Sequence, residues 1–386
     1  MWYSLSDTNG ISSPKQERTR KKQRKTIGKI MFIKKIIKDP LVAFMSYRKK
    51  RLFFSKQKNN YGLSRKDIRK ANSLGFTADE YIIYDLKHND PTKYLSEYER
   101  YQFRDAVQNY RILLDNKIVF YSIIRNFAPV NQIFAYKING GYTALAEGFS
   151  EDGIVARIRE LGKLVYKDIS LGGGTGFRLL EFSDGEYSIN RKKSKEEDIL
   201  SLFQRKNFLI EEFCNQGSFE QRFWPYSVNT VRIVTLIFHE AVQIVAAFQR
   251  IGLNREKCVD NACAGGLCAT IDLTSGVLSA ARSHAPEYFF ARDGSPNCFK
   301  NHPGTNAQIE GVRIPGWTSL CSEIKELHQK LAFTGIEFIA WDIALLEYRF
   351  KIIEANTSCS MDLLQTFEGA RNGVIGKWMK EKGYIS

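Results

Sequence analysis

Between about residue 133 and residue 356 the chain alternates short apolar runs with Gly and Asp, a pattern that leaves few folds open. GYTALAEG, KLVYKDIS, FRLLEF and EYSINR come first; NFLIEEF, TVRIVTLIFH, AVQIVAAFQRIG and LCATIDLTSGVLSAAR follow. Runs of this length bounded by turn residues predict strands, and their close succession predicts antiparallel pairing. Turn chemistry at Asp272 to Gly276 suits a hairpin. A helix is expected over Ser319–Phe333, then the strand pair FIAWDIALLE and RFKIIEAN, then a terminal helix. Upstream, residues 64–127 read as a helical module. Ser64 and Thr77 are good N-caps there, and Asp67 and Glu80 three residues later echo a capping box. No internal repeat is visible. The sum is an α+β chain, with helices set between antiparallel strands.

At 386 residues and 43% apolar, the chain is long enough for two or three units with a substantial core. Its formal charge is +15, but residues 1–58 hold 17 Lys or Arg against Asp7, Glu17 and Asp39. A basic arm is therefore joined to a nearly neutral body. The first 25 residues are polar and basic, the composition of a disordered segment. In TIGKIMFIKKIIKDP, isoleucines recur near helical spacing among lysines, which predicts a basic amphipathic helix that Pro40 ends or kinks; LVAFMSYRKKRLFF follows. Two readings stand for residues 26–58: binding to an anionic membrane surface, or packing of the apolar face on the body with the lysines solvated. Nucleic acid is not expected, because aromatic residues are not interleaved with the basic run. Seven cysteines without a CxxC pair fit free thiols in a reducing compartment. Cys258, Cys263 and Cys268 recur every five residues, with no histidine close by to complete a zinc set. No run nears ~18 uninterrupted apolar residues, and no signal peptide is legible. The expected location is cytoplasmic, with the arm allowing a peripheral place on the cytoplasmic face of a membrane.

Four features line up in order along the body. Lys117, in LLDNKIVF, is a cation entering a helix. Lys167 ends the apolar strand KLVYK and precedes Gly172, Gly173, Gly174, Thr175 and Gly176; glycine lets backbone N–H groups approach phosphate oxygens, and the lysine adds charge. Glu211 and Glu212 end the apolar strand NFLIEEF, where a buried carboxylate needs a partner and an adenine amino group is one candidate. Finally, WDIALLEYRFKIIEANTS reads as a hairpin with Asp342 on one strand and Glu354 and Asn356 on the other. Residues two apart face the same side of a strand, and hard oxygen donors converging across a pair suit Mg²⁺ bridging phosphates.

This order resembles the ATP-grasp superfamily, and IIEANTSCSM is similar to the LLEANTSPGM-type ending of D-alanine–D-alanine ligases. The likeness covers about residues 110–375. GFTADEYIIYDL, PYSVNTVRIVT, DNACAGGLCATID and HPGTNAQIEGVRIPGW are similar to the sugar-transfer-associated branch, which extends it back to about residue 65. The resemblance implies two α+β subdomains clasping ATP, over 131–208 with the glycine-rich loop and 209–386 with the metal-binding strands. A helical module at 64–130 and the basic arm at 1–63 precede them. It further implies that Lys117 and Lys167 hold the α- and β-phosphates and that the Gly172–Gly176 loop closes over the β- and γ-phosphates. Glu211 would meet the adenine amino group, with the backbone around Glu212 and Phe213 reading the adenine edge. Asp342, Glu354 and Asn356 would ligate two Mg²⁺ ions, while Arg232, Arg250 and Asn261 would face the transferred phosphoryl group or the tetrahedral intermediate. His302 and Trp317 lie in the branch motif as acceptor candidates. Two positions depart from the ligase pattern. Asp168 replaces the usual proline, and Ala340 stands where an arginine two residues before the first metal aspartate is expected, so that arginine must come from elsewhere or the chemistry differs.

The implied activity is an ATP-dependent carboxylate–amine ligase acting through an acyl phosphate, on a sugar or glycan precursor in polysaccharide building. Two alternatives remain at this stage: a kinase moving the γ-phosphate to a sugar hydroxyl, and a non-catalytic ATP-binding partner of glycan-assembly enzymes.

Overall fold

A computed structural model describes residues 40–169 and 176–385. The helix expected near 27–38, and Gly172, Gly173, Gly174 and Thr175 of the loop, lie outside the described residues. The chain divides into two units, 1–58 and 59–386. In the first unit a helix spans Pro40–Ser55. Proline opens it, a position where its fixed φ suits the helix and its missing N–H would lack a partner anyway. Its residues 47–52 are exposed, including the run Arg48, Lys49, Lys50 and Arg51.

In the second unit the caps form as the sequence predicts. Ser64 accepts a hydrogen bond from the Asp67 amide, opening Arg65–Leu74. Thr77 and Glu80 exchange the two bonds of a capping box to open Ala78–Ile83. Two antiparallel sheets follow. The first is built from β1 (Ile133–Ile138), β2 (Gly141–Ala144), β3 (Lys163–Lys167), β4 (Arg178–Ser183), β5 (Glu186–Ile189), β6 (Lys192–Ser194) and β7 (Phe208–Glu212), in the order β2-β1-β7-β3-β4-β5-β6. The second contains β8 (Thr230–Phe238), β9 (Ala241–Ile251), β10 (Leu267–Thr270), β11 (Phe338–Leu345) and β12 (Phe350–Asn356), in the order β10-β9-β8-β11-β12.

Strand β7 pairs with both β1 and β3. Phe208 and Ile210 pack into one core cluster and Leu209 into another, so the strand is buried on both faces and belongs to the centre of the first sheet. A division at 208/209 would separate it from its partners; the pairing carries the first sheet through Glu212. The turn at Asp272 forms, with the Gly276 amide donating to the Asp272 carbonyl, but its return limb makes isolated bridges in place of a strand. The helix expected over Ser319–Phe333 covers Trp317–Lys330 and is followed by a 3₁₀ turn at Ala332–Thr334; the terminal helix is Val374–Glu381.

Alternation along the second sheet decides what reaches the site. Ile233, Trp341 and Ile343 pack with Leu320, Ile324 and Leu327 of the helix Trp317–Lys330. Val234, Phe338 and Ala340 pack with Phe103, Met361 and Trp378. Arg232 and Asp342 fall on this second face by the two-residue period.

Candidate active site

A cleft lies between the sheets, lined by residues of both. On the first wall, Asn116 caps the helix Lys117–Ile124, accepting from the amides of Ile118 and Val119, and this places Lys117 at the helix entrance. The register Val165↔Glu211 and Lys167↔Leu209 puts Lys167 and Glu211 diagonally on one face, where Lys167 Nζ lies 2.5 Å from Glu211 Oε1. Asn131 Nδ2 donates to the same oxygen at 3.4 Å. Asn131 Oδ1 is buried without a hydrogen-bond partner among the described residues. Glu212 faces the other way, accepting from the Gln132 amide at 2.9 Å and from Lys351. Val165, Phe177, Phe213, Val259 and Ile353 give the cleft an apolar end.

The second wall is a chain of alternating charges. Arg232 and Asp342 are directly paired across β8 and β11, and Arg232 Nε and Nη2 each donate to Asp342 at 2.6 Å. Arg250 Nη1 donates to Asp342 Oδ2 at 2.9 Å, and its Nη2 donates to Asp260 Oδ1 at 2.5 Å. Thr230 Oγ1 donates to Asp260 Oδ2 at 2.5 Å. Across β11 and β12, Asp342 faces Glu354 and Ala340 faces Asn356, with a bulge just beyond Asp342; bulges commonly re-aim side chains at active sites.

Burial and neighbouring charge set the ionisation of these groups. Burial works against the Asp342 carboxylate, but Arg232 and Arg250 outweigh it and hold that carboxyl well below the ordinary range. Burial raises Glu354, and the Asp342 charge beside it raises it further. Burial also raises Asp260, with Arg250 working against that rise; Arg250 Nη2 lies 2.5 Å from its Oδ1. Burial lowers Lys117, opposed by Glu354. For Lys167 burial also acts downward, but Glu211 and Glu354 reverse it and the net shift is up.

The cleft gathers Lys117, Lys167, Glu211, Phe213, Arg250, Asn261, Asp342 and Glu354 along its lining, with Arg232 behind Asp342. Gly176 is described, with φ +81°. The acceptor expectation for His302 and Trp317 is corrected by their surroundings. His302 is fully buried; Nε2 meets the Gly252 carbonyl at 2.9 Å, and Nδ1 accepts from the amides of Gly304 and Thr305. Both ring nitrogens thus serve the backbone. Trp317 is buried in the main core and donates Nε1 to the Leu273 carbonyl. Asp260, Thr230 and Asn131 carry no motif role in the sequence reading. Asp260 had one signal, its place beside Asn261 in DNACAGG, but only the fold turns it toward Arg250. Ala340 carries no charge, and Arg232 of β8 is the arginine forked on Asp342.

Among the described residues no group of three or more His, Cys, Asp or Glu side chains gathers for a metal, and no helix is long and apolar enough to cross a membrane. The sequence matches the family model described as sugar-transfer associated ATP-grasp over residues 97–374. No curated protein matches. Among solved structures, D-alanyl-alanine synthetase A from Vibrio cholerae O1 biovar eltor is similar at 12% identity and TM-score 0.36, over 66% of this chain and 59% of that one. D-alanine–D-alanine ligase from Helicobacter pylori is similar at 11% and 0.36, over 65% and 56%. ATP-grasp ligase PsnB, solved with a precursor peptide and AMPPNP, is similar at 12% and 0.32, over 64% and 50%. The chain spans between 50% and 59% of the length of these three proteins. The family match extends over most of the sequence and includes every residue of both cleft walls, so the chain belongs to the sugar-transfer-associated ATP-grasp family.

Proposed function

We propose that the protein is an ATP-dependent ligase that joins a carboxylate to an amine. The observation that carries this reading is the pairing of walls: two lysines and Glu211 on one wall face two arginines and the Asp342–Glu354 carboxyl pair on the other. ATP lies with its adenine at the apolar end, where Glu211 accepts from the exocyclic amine, the Glu212–Phe213 backbone reads the ring edge and the Asn131 oxygen takes a further donor. Lys117 and Lys167 would hold the α- and β-phosphates. Arg232, Arg250 and Asn261 face the group in transfer.

The donors on the second wall fit a hard divalent cation: two carboxyl groups facing each other across β11 and β12, and an amide oxygen two residues on. Asp342, Glu354 and Asn356 would hold Mg²⁺, which neutralises phosphate oxygens when bound. In the first step a carboxylate oxygen attacks the γ-phosphorus and ADP leaves, giving an acyl phosphate. The amine nitrogen then attacks the acyl carbon, phosphate departs with the carbon–oxygen electron pair, and the amine gives up its proton. The arginines stabilise the oxygens that gain charge. The kinase alternative, which draws on the missing arginine at Ala340, is separated from the ligase by the products.

The acceptor class is a sugar acid or an amino-bearing glycan precursor, in keeping with the family description. An ADP-release screen of sugar acids against amino acids, with mass spectrometry of the products, tests this. An amide together with ADP and free phosphate supports the ligase; a phosphorylated acceptor without free phosphate contradicts it. Residues 26–58 place the enzyme on an anionic membrane, a reading supported by the exposed Arg48–Arg51 run beside Leu52. Changing those four cations to Gln in the whole chain should weaken binding to vesicles containing phosphatidylglycerol, and unchanged binding contradicts it.

A further inference from the structure

Asp260 has no role in the reading above, yet both of its oxygens are engaged on the arginine wall. It is 5% exposed, and it comes from the loop between β9 and β10. That loop closes tightly on it: a Cβ at Gly266 would lie 2.3 Å from the Asp260 carbonyl oxygen, so glycine is needed there. Thr230, paired with Arg250 across β8 and β9, holds one oxygen of Asp260 while Arg250 holds the other.

A guanidinium carries five N–H donors in a plane. Arg232 uses two of them as a fork on Asp342. Arg250 differs, giving Nη1 to Asp342 and Nη2 to Asp260. Two carboxylates on different segments fix its plane and keep it from folding wholly onto Asp342. It lines the cleft with N–H groups left to offer an incoming oxyanion.

We infer that Asp260 is a positioning residue that sets Arg250 for the γ-phosphoryl group and so discriminates ATP from ADP. This rests on the ATP-binding reading above. Sign separates it from a charge effect. Asp260→Asn removes a negative charge, and by Coulomb attraction alone it would tighten both nucleotides, the more highly charged AMPPNP most. Loss of positioning acts oppositely, weakening AMPPNP while sparing ADP.

The experiment is calorimetric titration of ADP and of AMPPNP, with Mg²⁺, into the whole chain as wild type, Asp260→Asn and Thr230→Val. Wild type should prefer AMPPNP. Asp260→Asn should reduce that preference by roughly ten-fold or more, the scale of one charge-assisted hydrogen bond, with ADP affinity within about two-fold. Thr230→Val should move it the same way by less, and it carries the test if the aspartate variant does not fold. An unchanged or increased preference, or equal weakening of both nucleotides, overturns the assignment. Wild type that binds neither nucleotide refutes the ATP reading itself.

Discussion

Replacing Arg232 with Met keeps an unbranched apolar stem and removes the guanidinium charge from the centre of the second wall. Asp342 then loses two hydrogen bonds of 2.6 Å; its side chain is 3% exposed and that of Arg232 13%. Removing one partner of a buried ion pair costs ~3–5 kcal/mol, because the remaining charge stays buried. Arg250 still donates to Asp342 at 2.9 Å, which places the expected loss near the lower end, about 3 kcal/mol. Were the pair to behave as an exposed one, the loss would be at most ~1 kcal/mol. Urea unfolding at pH 7 measures the difference as a shift in midpoint at constant slope. The pH dependence gives a second check. Asp342 has its carboxyl lowered in the fold, so its stabilisation is present above the unfolded value of ~3.9 and is lost as pH falls toward the folded one. The gap between wild type and variant should be full at neutral pH and narrow below about pH 4. Asp342→Asn added to Arg232→Met should recover part of the loss, since the under-compensated carboxylate is then gone and Arg250 keeps Asp260. A loss under ~1 kcal/mol, or a gap insensitive to acid, would refute the argument.

Lys167→Ala removes a cation from the cleft and leaves Glu211 without its partner, so ADP affinity should fall by roughly ten-fold or more in calorimetric titration; unchanged affinity would remove Lys167 from the nucleotide site. His302→Ala should cost about 2–4 kcal/mol in urea unfolding, for the cavity and the orphaned backbone groups, while leaving ADP affinity intact. A loss of turnover without loss of stability would restore His302 as an acceptor residue. Burial, and then the neighbouring Glu97 carboxylate, push Glu80 up to about 8; burial, and then Asp362, push Glu97 up to about 7. Folded values above the unfolded ones mean that their stabilisation is complete below about pH 4.5 and is lost as pH rises through 7 to 8. The melting temperature should therefore fall between pH 6 and pH 9, and Glu80→Gln should flatten the decline; a flat or rising wild-type curve contradicts this.

The hairpin of Asp342 and Glu354 was legible because two-residue alternation within WDIALLE and KIIEAN already puts the carboxylates on facing positions. The caps at Ser64 and Thr77 were legible for the same local reason. Arg232 and Asp342 are 110 positions apart, and no local pattern says that β8 pairs with β11 in the register that joins them. The same holds for Asp260, whose partner Thr230 lies 30 positions away. His302 misled because histidine before proline in a polar loop carries no mark of burial; only the fold brings the Gly252 carbonyl to it. The edge of the first sheet was misplaced because β7 reads identically whether its neighbours come before or after it.

The central claim is that a carboxylate is activated as an acyl phosphate, and heavy-oxygen labelling of the acid tests it directly. With both carboxylate oxygens labelled, and with ATP, Mg²⁺ and the amine supplied, each phosphate released should carry one labelled oxygen, since that atom bridges carbon and phosphorus before the amine displaces it. Glu354→Gln should abolish this release. Phosphate without label, or label transfer undiminished in Glu354→Gln, would contradict the account.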